Sequence, residues 1–223
     1  MGIVNITVNG ASIQAEKGEN LLEVCLKNNI YIPNLCYLKG MEEPPASCRL
    51  CLVEIDGLEG PVTACSTKVK EGLVVRTESK LVRELQRSAL RLLLSSHQVD
   101  CANCEANKRC GLQEIARFLG MGLKPRGLDQ VLKGPDRDDS HPYLVYYPNR
   151  CVLCGKCIYI CKKKHPHPML SFANRGFDTV VSLYGASQAK ELPCIACSQC
   201  VEICPVGALT RKRVDHRQHE TRK

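Results

Sequence analysis

"CVLCGKCIYIC" at residues 151–161 and "CIACSQCVEIC" at residues 194–204 align without a gap, and each half reads C-x2-C-x2-C-x3-C. The second half runs on into Pro205. A cubane iron-sulfur cluster presents four iron corners close together, and a C-x2-C-x2-C loop can wrap around three of them. The fourth cysteine lies about one helical turn beyond and faces away from that loop, so it serves the cluster of the other half. The spacing predicts one 4Fe-4S cluster on Cys151, Cys154, Cys157 and Cys204, and a second on Cys161, Cys194, Cys197 and Cys200. Such an exchange ties the halves together and sets the clusters side by side, as electron transfer over short distances demands. A zinc ribbon pairs two C-x2-C units and has no third C-x2 step.

Eight of the sixteen cysteines lie outside the repeat. Cys36, Cys48, Cys51 and Cys65 form a C-x11-C-x2-C-x13-C set. Four thiolates suit a 2Fe-2S cluster, two per iron, although the first gap exceeds the C-x4-C of plant-type ferredoxins. By spacing alone, structural zinc competes for this set. His97, Cys101, Cys104 and Cys110 form an H-x3-C-x2-C-x5-C set. In isolation it reads as a zinc site of one imidazole and three thiolates, or His97 could merely cap a helix end. The redox motifs on either side favour a third electron-carrying centre between them. Cys25 is left over beside Leu21 and Leu22, where it reads as a buried, inert thiol. "KKKHPHP" (162–168) reads as an exposed basic loop rather than a metal site.

Aromatic residues make up 4% of the chain and Trp is absent, so bound metal is expected to help hold the fold. The opening "MGIVNITVNGASIQ" lacks the apolar core of a secretory signal, and no run is long and apolar enough to span a membrane. The expected location is the reducing cytoplasm, where clustered cysteines bind metal rather than pair as disulfides. A formal charge of +8 invites a nucleic-acid partner. Ligating cysteines are thiolates, however, and the four clusters together carry roughly −7 by ion counting. The basic excess then balances the cofactors. Interleaved aromatics and a clustered basic face, which nucleic-acid binding uses, are missing.

The apolar pattern places these sets in an α+β chain of several small units. Val4, Ile6 and Val8 alternate with polar residues, Asn9-Gly10 marks a hairpin, and Ile13 and Ala15 resume the alternation. A helix follows in "GENLLEVCLKNN", with Leu21, Leu22, Cys25 and Leu26 on one side. "CLVEID" (51–56) and "LVVRT" (73–77) are strand candidates, so residues 1–78 read as a β-grasp, ferredoxin-like 2Fe-2S domain. Residues 79–121 read as a small helical domain around the His97 set. Ser79 caps its first helix, on which Leu81, Leu85, Leu92 and Leu93 keep the period, and "GLQEIARFLG" forms a second. Residues 122–142 read as a linker, 143–210 as the two-cluster ferredoxin domain, and 211–223 as a charged tail.

"NLCYLKGMEEPPASCRLCLVEI", "LLSSHQVDCANCEANKRCGLQEIA", "ANRGFDTVV" and "CSQCVEICPVGALT" together resemble the N-terminal region of iron-iron hydrogenases and of the large iron-sulfur subunit of respiratory complex I. The resemblance covers nearly the whole chain. It implies a 2Fe-2S cluster on Cys36, Cys48, Cys51 and Cys65, and a 4Fe-4S cluster on His97, Cys101, Cys104 and Cys110. One 2Fe-2S and three 4Fe-4S clusters are therefore expected. Iron-iron hydrogenases continue into a long catalytic domain, whereas this chain ends soon after Thr210. The short form resembles the diaphorase iron-sulfur subunit of NAD(P)-linked nickel-iron hydrogenases, with similar subunits in NAD-dependent formate dehydrogenases and bifurcating complexes. What that implies is an electron relay between a flavin- and NAD(P)-binding diaphorase subunit and hydrogenase or formate dehydrogenase catalytic and small subunits. A free-standing ferredoxin-like carrier is the alternative. "GMGLKPRG" (120–127) fits neither the G-x-G-x-x-G nor the G-x4-G-K-[ST] pattern, so no nucleotide site is expected on this chain.

Overall fold

The computed structural model describes residues 2–124, 126–183 and 194–212. The alternating pattern at the N-terminus folds as expected. Strand β1 (Ile3–Val8) pairs antiparallel with β2 (Ala11–Glu16), with Ile6 opposite Ile13. Asn9 and Gly10 join them, both at positive φ (51° and 85°), the backbone of a tight hairpin turn. Helix α1 (Leu21–Lys27) follows, and the Asn20 side chain accepts from the Glu23 amide at 3.3 Å to cap it. Strands β3 (Leu52–Ile55), β4 (Val62–Thr63) and β5 (Val74–Arg76) complete a sheet of order β2-β1-β5-β3-β4. The β1–β5 pair is parallel and the other pairs are antiparallel. Val4, Ile6, Val8, Leu21, Leu22, Val53 and Val75 form one buried core between the sheet and α1.

Helix α2 (Lys80–Ser95) begins at Ser79, whose hydroxyl accepts from the Val82 amide at 3.2 Å. Helix α3 (Gly111–Phe118) packs against it. Beyond them, β6 (Leu144–Tyr146) pairs antiparallel with β9 (Leu209–Arg211), bringing the two ends of the repeat-bearing unit together. Between these strands lie α4 (Lys156–Lys164), a hairpin of β7 (Leu170–Ala173) and β8 (Val180–Leu183), α5 (Cys194–Cys197) and α6 (Gln199–Glu202). A second core runs through this half and reaches back to Leu35, Cys36, Cys48 and Leu50.

Three expectations need correction. On α1, Leu26 is 37% exposed and Val24 is buried in its place, because the helix turns its 21–22–24–25 face to the sheet. On α2, the buried face is Val82, Gln86, Ala89, Leu90 and Leu94, whereas Leu81 and Leu92 are exposed and Leu85 and Leu93 half-buried. The helix carries two apolar stripes, and packing chose the one that lets Gln86 donate to the Leu52 carbonyl. Lys162, Lys163 and Lys164 form the last turn of α4 rather than a loop. The 122–142 segment is tied down at several points. Val131 N bonds Ser95 O at 2.9 Å, Lys133 N bonds the Asn149 side chain, and Asp138 exchanges both backbone bonds with Tyr146. At the C-terminus, Arg211 belongs to β9 and the Lys212 amide bonds Tyr143 O; the rest of the expected tail, 213–223, lies outside the described residues.

Candidate metal centres

The first cysteine set closes around the rim of the sheet. Cys36, Cys48 and Cys51 come from the long connection between α1 and β3, and Cys65 from a short turn after β4. All four are buried. The Cys36 and Cys48 sulfurs are 3.4 Å apart. Cys65 is electrostatically coupled to both Cys36 and Cys51. The Asn20 amide that caps α1 also donates to the Cys65 carbonyl, fixing that turn against the helix. Hydrogen bonds from Cys48 and Cys65 pull the Cys36 thiol down to about 2, and that from Cys65 pulls Cys51 down. The bond to Cys36 pushes Cys48 and Cys65 up. The four thiols therefore compete for charge. Only a cationic centre lets all four ionise together, which is the donor chemistry of a four-thiolate iron cluster.

His97 follows the end of α2, and its amide bonds the Leu94 carbonyl. Its ring does not cap the helix. Nδ1 lies 3.1 Å from the Arg150 carbonyl, 53 residues away, and donates to it. Burial lowers the imidazole pKa to about 4, so the ring is neutral and Nε2 keeps a lone pair. Cys101, Cys104 and Cys110 line the same cavity as His97, together with Asp100 and Arg150. Cys110 is held at the start of α3, and burial raises its thiol pKa. Gly207 makes the wall of this cavity possible. Its φ is +65°, and a Cβ there would sit 2.8 Å from the Ala106 Cβ and 3.3 Å from the Cys104 sulfur.

Cys151, Cys154 and Cys157 feel the charge of Cys204, and Cys194 and Cys200 feel that of Cys161. Cys161, Cys194, Cys197 and Cys200 line one cavity with Leu144 and Met169. Backbone amides point at the sulfurs: Leu153 N to Cys151 at 3.4 Å, Met169 N to Cys161 at 3.3 Å, and Ala208 N to Cys204 at 3.3 Å. Burial pushes Cys154 and Cys200 each up to about 12 and raises Cys157 and Cys194. Thiols so placed ionise only against bound cations. Among the described residues, no three His, Cys, Asp or Glu side chains have the geometry to hold a single metal ion. A polynuclear cluster makes a different demand, since each ligand binds its own corner and the donors surround a space.

Residues 3–80 match the 2Fe-2S iron-sulfur cluster binding domain, 86–124 the NADH-ubiquinone oxidoreductase-G iron-sulfur binding region, and 192–210 the 4Fe-4S binding domain. An NADH-quinone oxidoreductase component of Rhizobium meliloti is 36% identical over 208 residues, which are 93% of this chain and 24% of that protein. The chain thus spans about a quarter of that relative's length. The gamma subunit of NAD-reducing hydrogenase HoxS of Cupriavidus necator is 28% identical over 215 residues, covering 96% of this chain and 89% of that one. A crystal structure of NAD+-reducing NiFe-hydrogenase in the H2-reduced state contains a chain that superimposes with a TM-score of 0.82 at 31% identity, covering 95% of this chain and 88% of that one. The chain belongs to the family of iron-sulfur subunits of NAD(P)-linked hydrogenases.

Membership of this family accounts for the 2Fe-2S and 4Fe-4S domains, and the chain's own packing adds residues that spacing could not reveal. His165, expected in an exposed loop, lines the cavity of Cys161 and Cys200. Tyr146 is 1% exposed, and its hydroxyl oxygen accepts from the Val181 amide at 3.1 Å. His141 is fully buried and accepts from the Tyr143 and Leu144 amides, closing the turn into β6. None of the three carries a sequence signal, because each is placed by a partner distant in space or by a turn of unexceptional composition. Cys25 is buried in the sheet domain, where burial raises its thiol to about 11, as expected of an inert thiol.

Proposed function

We propose that this chain is the electron relay of an NAD(P)-linked hydrogenase complex, carrying electrons between a flavin- and NAD(P)-binding subunit and a catalytic metal centre. The observation that carries the reading is the crossed grouping of cysteines, with Cys204 beside Cys151, Cys154 and Cys157, and Cys161 beside Cys194, Cys197 and Cys200. That grouping serves a two-cluster electron carrier.

In this reading Cys36, Cys48, Cys51 and Cys65 hold a 2Fe-2S cluster on a β-grasp sheet. His97 through Nε2, with Cys101, Cys104 and Cys110, holds a 4Fe-4S cluster, and the crossed sets hold two more. The bound clusters supply reversible one-electron storage. The chain's own residues orient the ligands and aim amide N–H groups at their sulfurs. The Arg150 carbonyl fixes His97 in the tautomer that leaves Nε2 free. A neutral imidazole in place of a thiolate removes one negative charge and eases reduction at that centre. Residues 1–78, 79–121 and 143–210 serve as the three cluster domains, joined by 122–142. The similarity to the HoxS gamma subunit and to the NAD+-reducing hydrogenase chain supports diaphorase and hydrogenase subunits as partners. Among the described residues no helix is long and apolar enough to cross a membrane.

Anaerobic affinity purification from the native host tests this reading. The expected material is brown, contains iron and acid-labile sulfide, shows 2Fe-2S and 4Fe-4S EPR signals on reduction, and brings flavoprotein and hydrogenase chains with it. Colourless, zinc-containing material sinks it. Co-purified formate dehydrogenase chains redirect it to the equivalent relay of that enzyme, and a brown chain without companions to a free-standing carrier.

A further inference from the structure

Helix α4 supplies a ligand to each of the two proposed clusters of the repeat, Cys157 to one and Cys161 to the other. Tyr159 stands between them, half-buried, with its amide bonded to the Gly155 carbonyl at 3.0 Å. Its hydroxyl reaches off the helix and donates to the Gly40 carbonyl at 2.9 Å, a bond that joins residues 119 apart in the chain. Gly40 lies in the loop between Cys36 and Cys48, the first two thiols of the sheet domain's set. That loop has neither helix nor strand of its own. It turns at residues 38–41, where Gly40 takes a φ of +83° and the Met41 amide bonds the Leu38 carbonyl at 3.0 Å. Its two ends are held by packing, since Leu35, Cys36, Cys48 and Leu50 share a buried core with Cys157, Ile158 and Cys161. At the turn it meets α4 through the Tyr159 hydroxyl.

We propose that Tyr159 is a positioning residue for the relay: its O–H latches the loop between Cys36 and Cys48 onto α4 and so holds the 2Fe-2S centre at a fixed distance from the clusters of the repeat. This rests on the cluster assignment above. Electron tunnelling weakens exponentially with the gap between donor and acceptor, so a spread of loop positions costs rate. A loop without regular structure opens locally unless specific bonds tie it down. One net hydrogen bond shifts such a docked–undocked equilibrium by about two- to tenfold. The hydroxyl meets a backbone carbonyl and not a sulfur, so the surroundings of the ligands, and with them the cluster potentials, do not depend on it. A change of position at constant potential is the signature that separates this role from tuning.

The test uses the full chain with its iron bound and compares wild type with Tyr159→Phe. Hydrogen exchange reads the latch directly. The Met41 amide and its neighbours in 37–47 should exchange about two- to tenfold faster in Tyr159→Phe, while β1 and β2 keep their protection. Pulsed EPR of the reduced protein should show a broader distribution of dipolar coupling between the 2Fe-2S and 4Fe-4S spins. Anaerobic redox titration should find every midpoint where wild type has it. Should Tyr159→Phe fail to load iron, 4-aminophenylalanine placed at position 159 alone keeps the ring with a weaker donor, and its loop should still exchange faster than wild type. Loaded variants whose loop exchange and dipolar coupling match wild type overturn the proposal while leaving the cluster assignment intact. A shifted 2Fe-2S midpoint at unchanged coupling also overturns it, since the hydroxyl then tunes and does not position. Wild-type protein that binds no iron overturns both.

Discussion

The sheet domain and the two-cluster domain bury themselves by different means. In the first, Val4, Ile6, Val8, Val53 and Val75 of the sheet pack on Leu21, Leu22 and Val24 of α1, and the cysteine ligands sit at the margin of that core. In the second, the buried residues of α4 are Cys157, Ile158 and Cys161, two of them proposed iron ligands, and α6 buries none of its side chains. Helices α5 and α6 are four residues each, far below the length at which a helix holds its own shape in water. One domain is held by apolar contact between sheet and helix. In the other, Tyr146, Leu170, Val181 and Leu209 supply apolar contacts to a shared core while α4 buries mostly cysteines, so metal bound there would add to folding.

Iron removal should split the two domains most sharply. Hydrogen exchange on anaerobically prepared apo-protein should show residues 143–212 exchanging freely, while β1, β2 and β5 keep their protection. A single cooperative melt of the apo-chain with full protection in both regions would erase the contrast. Cys204→Ala should cost the iron and sulfide of one 4Fe-4S cluster and loosen both halves of the repeat, because that residue completes the opposite half. Cys25→Ala should leave the iron content unchanged. Equal metal loss in the two variants would contradict the assignment.

A smaller effect is expected where the two regions meet. Leu90 of α2 is fully buried in the core that runs from Leu35 to the repeat. Leu90→Ala should cost about 2–5 kcal/mol in denaturant titration of holo-protein. The loss should appear in the cluster-bearing half, with the β1–β2 hairpin unaffected. Smallest of all, Gly10→Ala should cost about 1–2 kcal/mol, since its φ of +85° is strained for a residue with a side chain although the space around it is open. That loss should stay within the sheet domain and leave every EPR signal in place.

Residues 1–16 were legible in the sequence because the alternation of Val4, Ile6 and Val8 and the Asn9-Gly10 turn are local signals with a single reading. The C-x2-C-x2-C-x3-C repeat was legible too, and its last step is the ground on which we propose that Cys161 and Cys204 exchange halves. The buried face of α2 was not legible. Its leucines lie on more than one side, and only the strand carrying Leu52, with Gln86 bonded to its carbonyl, selects the face that packs. Strand β4 is two residues long and exists because Val62 and Thr63 find β3, a partner that no window of sequence contains. The 122–142 strap likewise takes its shape from Ser95, Asn149 and Tyr146.

The sequence by itself determined the spacing of the cysteines and their order along the chain, and the proposed ligand sets follow from how far a few residues of chain can reach. Tertiary structure alone decided which groups attend those side chains: the Arg150 carbonyl on His97, the Val206 carbonyl near Cys104 and the bare Cα of Gly207 beside the same sulfur. Those contacts join segments brought together only once the chain has packed, and packing responds to the whole surface of each element rather than to its pattern of residues.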